Sequence, residues 1–395
     1  MIGNIPDGWK VEKLERLAKI QAGGTPSRAK MEYWNGDIPW IKISNIKSKY
    51  TTKSTEFITD EGLNNSSTKL FKVDTILYTI FATIGEVSIL KIEAATNQAI
   101  SGISEIDKKV NLYYLYNYLK SIKEKVINSG RGVAQNNINL AMLRSFEIPI
   151  PPLAQQEKIV KVLDISSALI EKQKGLILNY DLFLKSKFTE MFGDPYKNKM
   201  KWTVVNVDSV CEEIVDCINR TAPLVEYETE YKMVRTTNVR NHKIIFNDTR
   251  YVEEDIYNKW VRRLVPKKND VIFTREAPVG EAGVITTNEK LFLGQRTMLF
   301  RPNYNKLNSY YLLYELMGSK VNAQINKISS GSTVKHLSVP HCKKFQINLP
   351  PIALQNKFAS IVEQIESIKT KETQKLDHLE TLHKSLMDKA FKGDI

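Results

Sequence analysis

The sequence predicts an α+β fold in which two globular mixed α/β domains are separated by two long helices that pair as a coiled coil. The whole is written as an internal, pseudo-two-fold repeat. Three observations carry that expectation. The string Pro151-Pro152-Leu153-Ala154-Gln155-Gln156-Glu157-Lys158-Ile159 returns as Pro350-Pro351-Ile352-Ala353-Leu354-Gln355-Asn356-Lys357-Phe358, an offset of 199. That offset holds without a gap through Lys185-Ser186 against Lys384-Ser385 and on to Phe192 against Phe391. The chain has 395 residues, 42% apolar and 26% charged, which is the length and composition of a globular protein of two or three domains.

Outside the constant-offset runs the copies match more loosely. Trp9 pairs with Trp202 and Asn45 with Asn238 at 193, Gly85-Glu86 with Gly280-Glu281 at 195, and Asp74-Thr75-Ile76 with Asp270-Val271-Ile272 at 196. Gln98 pairs with Gln295 and Tyr113-Tyr114 with Tyr310-Tyr311 at 197, while Phe146 and Ile148 match Phe345 and Ile347 at 199. One segment of each copy tolerates insertions and the other tolerates none. The expected division is therefore 1–150 and 194–349 as globular domains, with 151–193 and 350–395 as helical spacers.

The constant segments read as long helices. Phe358, Ile361, Ile365, Ile368, Leu379, Leu382 and Leu386 follow spacings of three and four. Their counterparts are Ile159, Val162, Ser166, Leu169, Gln173, Leu176, Tyr180 and Phe183. Such a narrow seam is a coiled-coil signal, and each run follows a Pro-Pro pair, which is tolerated only at a helix start. About 40 residues make a rod of about 60 Å. Ser166, Gln173, Glu372 and Lys375 place polar groups in the seam, and two separate helical hairpins packed on their own domains are the alternative. In the globular segments, Ile38–Ile43 and Val73–Tyr78 read as strands, and Leu112–Val126 and Tyr310–Ile328 carry helical periodicity.

The net charge is +13, divided as +5 in 1–150, +1 in 151–193, +7 in 194–349 and 0 in 350–395. Basic globular segments are what phosphate contacts require, whereas balanced charge suits a solvated or partner-binding helix. Cys211, Cys217 and Cys342 form no C-x-x-C, which excludes a disulfide scaffold or cysteine zinc finger and fits a reducing cytoplasm. No apolar run is long enough for a membrane span, and the N-terminus has no signal-peptide pattern.

Catalytic motifs are mostly absent. Ala22-Gly23-Gly24-Thr25-Pro26-Ser27 has glycines but no lysine placed for a phosphate loop, and neither G-x-G-x-x-G after a strand nor G-x-S-x-G occurs. Asn348-Leu349-Pro350-Pro351 differs from the Asn-Pro-Pro-aromatic loop of amino-methyltransferases by the inserted Leu349 and by Ile352 in the aromatic position. His336, His341 and Cys342 lack a second ligand pair at metal spacing. Asp270 and Glu276 beside Lys267 and Lys268 fit a nuclease acid cluster poorly and read as a solvated loop. The expectation is a chain that does no chemistry itself, with no cofactor.

The sequence resembles the specificity (S) subunits of type I restriction–modification systems. The carriers are the Gly8-Trp9-Lys10 and Lys201-Trp202-Thr203 segments, Gly23-Gly24-Thr25-Pro26-Ser27, and Tyr33-Trp34-Asn35-Gly36-Asp37-Ile38-Pro39-Trp40. The twice-used Pro-Pro-x-Ala-x-Gln helix start and the endings Met191-Phe192-Gly193-Asp194 and Ala390-Phe391-Lys392-Gly393-Asp394 complete the set. The resemblance implies two target recognition domains held apart by two antiparallel helices, each reading one half of a bipartite, asymmetric site in double-stranded DNA. It further implies that the helices set the gap and dock two methyltransferase (modification) subunits, joined by restriction (nuclease/translocase) subunits, with no membrane partner. In the second copy Asn219-Arg220-Thr221-Ala222-Pro223 replaces the Gly-Gly-Thr-Pro-Ser string.

Arginine suits bidentate contact with guanine, and Asn or Gln with adenine. The expected DNA-binding residues are Ser27, Arg28, Lys42, Asn45, Arg131, Gln135 and Asn136 in the first domain. In the second they are Arg220, Arg235, Asn238, Arg275, Arg296, Thr333 and Lys335. A phosphate contact or a plain surface charge is the alternative for each, and Asn45 and Asn238 equally fit turns of the scaffold. The competing functions are a nuclease with a cryptic metal site and a coiled-coil scaffold without a DNA role.

Overall fold

A computed structural model describes residues 6–129, 138–246, 248–329 and 336–395. The chain divides into two compact units, Met1–Lys174 with Gln374–Ile395, and Gly175–Thr373. The cuts fall inside two uninterrupted helices, the central helix Leu153–Phe192 and the C-terminal helix Ile352–Ala390. Each unit therefore contains part of both, and the two-hairpin alternative is excluded.

In the first unit, Lys10–Lys13 pairs antiparallel with Glu147–Ile150 immediately before the central helix. A five-stranded sheet has the order Lys19–Ala22, Ile100–Ser104, Ile76–Thr79, Val87–Leu90, Tyr50–Thr51. A four-stranded sheet follows the order Glu56–Ile58, Trp34–Ile41, Ala94–Thr96, Leu70–Phe71. Helix Leu112–Ser121 starts at Asn111, whose side chain accepts from the N–H groups of Tyr113 and Tyr114. Tyr114 donates its hydroxyl to the carbonyl of Pro149 at 2.7 Å, and Phe391 packs on Tyr114 and Tyr118 at 5.5 and 5.2 Å. Pro6 and Gly393 pack together in this unit: a Cβ on Gly393 would come within 2.1 Å of the Pro6 ring.

The second unit repeats the scheme. Thr203–Asn206 pairs with Gln346–Leu349, and a four-stranded sheet runs Cys211–Asp216, Thr297–Pro302, Val271–Thr274, Ala282–Val284. A three-stranded sheet follows the order Arg250–Tyr251, Tyr231–Val234, Lys290–Leu293. Helix Ser309–Leu316 is capped by Asn308, and Tyr311 donates to the carbonyl of Asn348 at 2.9 Å, as Tyr114 does to Pro149. Its core holds a larger aromatic cluster than the first: Phe188, Phe192, Tyr311, Tyr314 and Phe358 make ring contacts at 4.8–5.6 Å. The segments with helical periodicity break at Ile122 and at Met317-Gly318, giving Leu112–Ser121 with Lys123–Ser129 and Ser309–Leu316 with Ser319–Ser329.

Within each unit the long helices run antiparallel. In the first, Ser166 Oγ lies 2.7 Å from His383 Nδ1, and Lys174 pairs with Glu380 at 2.8 Å. In the second, Lys369 pairs with Asp181, and Phe188 meets Phe358 at 5.3 Å. The heptad period is present, and Ile159, Ser166 and Phe358 are buried as the sequence reading placed them, but the alternate seam position is shifted by one residue. Ile159, Leu163, Ser166, Ile170, Leu184 and Phe188 are buried, whereas Leu169, Leu176 and Phe183 are 47%, 39% and 47% exposed. On the C-terminal helix Val362, Lys369 and Ala390 are buried, while Ile368 and Leu382 face solvent. The cause is adjacent apolar pairs, Val162/Leu163, Leu169/Ile170, Leu176/Ile177 and Phe183/Leu184, either member of which fits a three–four spacing.

Candidate nucleic-acid interface

Strand register brings the loops of each unit to one rim. In the first unit Ile100–Ser104 sets Ser101 opposite Ala22 and Ile100 opposite Thr79. Gly23 onward, the hairpin after Thr79 and the turn before Ile100 therefore share an edge. Trp34–Ile41 runs parallel to Ala94–Thr96, with Ile41 opposite Thr96, which delivers Lys42 and Asn45 to the same edge. Trp40 stands opposite Glu56, adding that carboxylate. The second unit repeats the arrangement, with Asp216 opposite Met298, Thr274 opposite Thr297, and Val234 opposite Leu293.

The hairpins at the rim are duplicated bond for bond. The N–H of Glu86 donates to Thr79 Oγ1 at 2.9 Å, and that of Glu281 to Thr274 Oγ1 at 3.0 Å. Gly85 and Gly280 close these turns at φ 80° and 89°, a conformation that glycine adopts without a Cβ clash. The Ile138 N–H donates to the Ile80 carbonyl at 3.1 Å, and the Leu337 N–H to the Arg275 carbonyl at 3.2 Å.

Arg28, Lys42 and Glu56 form one cluster on the first rim. The Arg28 guanidinium lies 3.6 Å from the Trp34 ring centre and 5.1 Å from that of Trp40, and its Nη2 is 2.5 Å from Glu56 Oε2. Lys42 pairs with the other Glu56 oxygen. The ammonium of Lys42 and the guanidinium of Arg28 hold the Glu56 carboxyl below its usual range. Ser27 is exposed, and its carbonyl accepts from Trp34 Nε1 at 3.1 Å. Asn45 accepts from the Lys42 N–H at 2.9 Å and holds the turn that presents Lys42. Gly23 and Gly24 pack against Thr96 and Thr68, where a Cβ would come within 2.1 and 2.4 Å of neighbouring atoms.

On the second rim Arg235 occupies the position equivalent to Lys42. Its N–H donates to Asn238 Oδ1 at 3.0 Å, and its guanidinium meets the Asp248 carboxylate at 2.7 Å. Arg296 Nε lies 2.9 Å from Glu276, which also holds the ring of His336. Arg220 is exposed in the loop after Cys211–Asp216. Two of the expected readers are interior. Asn238 is 3% exposed and donates its amide to the Ile245 carbonyl at 3.0 Å. Arg275 is 8% exposed and donates to the Leu337 carbonyl at 3.0 Å. Arg131, Gln135, Asn136, Thr333 and Lys335 lie outside the described residues.

Asp270 is not in a solvated loop: it is fully buried, and both oxygens are taken by Arg301 at 2.8 and 2.7 Å. Cys342 is buried too, and burial pushes its thiol up to about 12. Among the described residues no group of three His, Cys, Asp or Glu side chains is placed to hold a metal ion, and no helix is long and apolar enough to cross a membrane. Sequence reasoning passed over the carboxylates Glu56 and Asp248 and read Glu276 as part of a solvated loop, whereas all three organise the rim cations. It also left out the exposed Gln98 and Gln295, although the repeat pairs them.

Residues 6–179 and 199–381 each match the family described as Type I restriction modification DNA specificity domain. The chain belongs to that family. This specificity chain is 25% identical over 417 aligned positions to the MjaIX specificity subunit of Methanocaldococcus jannaschii, covering 100% of this chain and 95% of that one. To the EcoKI specificity subunit of Escherichia coli K12 it is 23% identical, covering 100% and 90%. Among solved structures, one from work on complex assembly and conformational transition of the type I R-M system shares the fold at TM-score 0.60 and 17% identity, over 100% of both chains. The S subunit from M. genitalium does so at 0.53 and 15%, over 98% and 96%. The specificity chain thus carries two DNA specificity domains, and its role is recognition of DNA sequence for a type I restriction–modification system.

Proposed function

We propose that each rim reads one half of a bipartite, asymmetric site in duplex DNA, with residues 1–150 and 194–349 as the readers. Segments 151–193 and 350–395 act as the spacer that fixes the gap and docks two methyltransferase subunits, with restriction subunits joining the complex in the cytoplasm. The observation that carries this reading is the equivalence of Lys42 and Arg235. Both follow the central strand of a sheet, both start the same asparagine-held turn, and both stand on a rim of a net basic segment. The exposed rim residues Ser27, Arg28, Arg220 and Arg296 and the half-buried Lys42 and Arg235 are the proposed DNA contacts; Asn45 and Asn238 support them through the turns, and Arg275 supports Leu337.

The spacer reading is supported by the unbroken helices and by apolar side chains that they leave exposed. In the first unit these include Ile165 and Leu169, and in the second Leu178, Leu182 and Phe183. Exposed leucines on a helix suit a partner protein better than water. Selection from a random duplex pool, with the methyltransferase partner supplied, tests the proposal. A split motif with a constant gap is expected, and enrichment of a contiguous motif, or of nothing, would refute it.

A further inference from the structure

The cations proposed to meet DNA are already engaged by acids of the same rim. Glu56 holds Arg28 and Lys42 together, and Asp248 holds Arg235 through its carboxylate at 2.7 Å and its backbone carbonyl at 2.6 Å. Glu276 holds Arg296 at 2.9 Å and His336. The arrangement recurs although the two copies differ in sequence. Lys42 and Arg235 are equivalent by the repeat, and each finds its acid on, or just before, the strand antiparallel to its own.

These acids are accessible to an incoming strand. Glu56 and Glu276 side chains are 27% and 20% exposed, while Arg28 and Arg296 are 56% and 55% exposed. A phosphate that approaches either arginine must displace the carboxylate from the engaged nitrogen or share the guanidinium with it, lying within a few ångströms of its charge. Such a cation releases fewer counterions on binding, because part of its charge is already neutralised. A base edge offers what a phosphate does not: an amino group, such as N4 of cytosine, that donates to the carboxylate as the arginine turns to the DNA.

We propose that Glu56, Asp248 and Glu276 are specificity-determining residues that withhold the rim cations from DNA phosphates, lowering non-specific affinity and so widening the preference for the cognate site. The inference rests on the DNA-reading function proposed above. It explains why the pairs sit at the rim, where isolated surface ion pairs contribute little to stability.

The test is binding of the purified full-length chain to a fluorescent random-sequence 30-base-pair duplex over a salt series. Glu56→Gln and Glu276→Gln are each expected to bind this probe about three- to tenfold tighter at low salt. Their plots of log affinity against log salt should be steeper by about one for each cation released. Arg28→Ala combined with Glu56→Gln should remove the Arg28 share of the gain and leave the share of Lys42, the other cation that Glu56 holds. Glu124→Gln, which removes the same charge from a side chain that is 78% exposed outside the rim, should show none. Unchanged or weaker binding by Glu56→Gln and Glu276→Gln with wild-type melting temperatures, or an equal gain in Glu124→Gln, would overturn the inference while leaving the DNA-reading function standing. Failure of the wild-type chain to bind any duplex at low salt would instead strike that function, and this inference with it.

Discussion

Gln156 locks the start of the central helix to Asn111, accepting its backbone N–H at 2.7 Å while donating to the carbonyls of Lys109 at 2.9 Å and Pro151 at 2.8 Å. Gln355 repeats the clasp with Asn308, Lys306 and Pro350 at 2.9, 3.1 and 2.8 Å. Both carboxamides are fully buried. The glutamine of the Pro-Pro-x-Ala-x-Gln string therefore does more than open a helix: it joins each long helix to the cap of a helix in its own unit.

Removing that clasp leaves a half-buried N–H and two carbonyls, one of them in a buried bond, without their partner. Gln156→Ala and Gln355→Ala are each expected to cost about 2–4 kcal/mol, as buried groups left unsatisfied carry their full desolvation penalty. Urea unfolding followed by circular dichroism reads the loss. Stability within about 0.5 kcal/mol of wild type would show that the clasp is dispensable.

The phase of the helical seam has its own test. Ile170 is buried and Leu169 is 47% exposed, though they are neighbours of similar size. Ile170→Ala should cost about 2–4 kcal/mol and Leu169→Ala less than about 1. The reverse order would restore the phase read from sequence.

Glu315 makes the second unit sensitive to pH. It is 1% exposed, and burial raises its carboxyl to about 7. Tyr311 has one hydroxyl proton and stands 2.9 Å from the Asn348 carbonyl and 3.0 Å from Glu315 Oε1, so a protonated Glu315 can donate to the phenol oxygen. The folded-state value lies above the unfolded one, so the native chain binds more protons between about pH 4.3 and 7. The group's contribution is fully present below that window and is lost as pH rises through about 7. Glu315→Gln keeps one donor and one acceptor without the charge. It should be more stable than wild type at pH 8 and should flatten the fall across the window, measured as urea midpoints at pH 5 and pH 8. Parallel pH dependence in the two proteins would refute the assignment.

The repeat was legible because its offset is constant where helices pack, and the two-unit architecture followed. The seam phase was not, because pairs such as Leu169/Ile170 satisfy either register until a partner helix selects one. The rim cations Arg28, Lys42, Arg235 and Arg296 could be named from residue type alone. Their separation from Arg275, which has the same side chain but faces Leu337, depends on strand direction and long-range register. The pairing of the acids with these side chains was invisible for a related reason: Glu56 lies 28 residues from Arg28, and Glu276 lies 60 residues from His336.

Removing one heptad from each long helix, matched across the antiparallel pair, keeps the seam in phase and shortens each helix by about 10 Å. At about 3.4 Å per base pair, the recognised gap should contract by about three base pairs. An unchanged gap in an assembled, active complex would refute the spacer role.

The central claim is tested most directly by methylome sequencing of a host that carries this chain together with its methyltransferase partner. The account predicts modification at a single split motif, two unlike half-sites separated by a constant number of unspecified bases. Methylation at a contiguous motif, at half-sites with a variable gap, or with no change when this chain is deleted would contradict it.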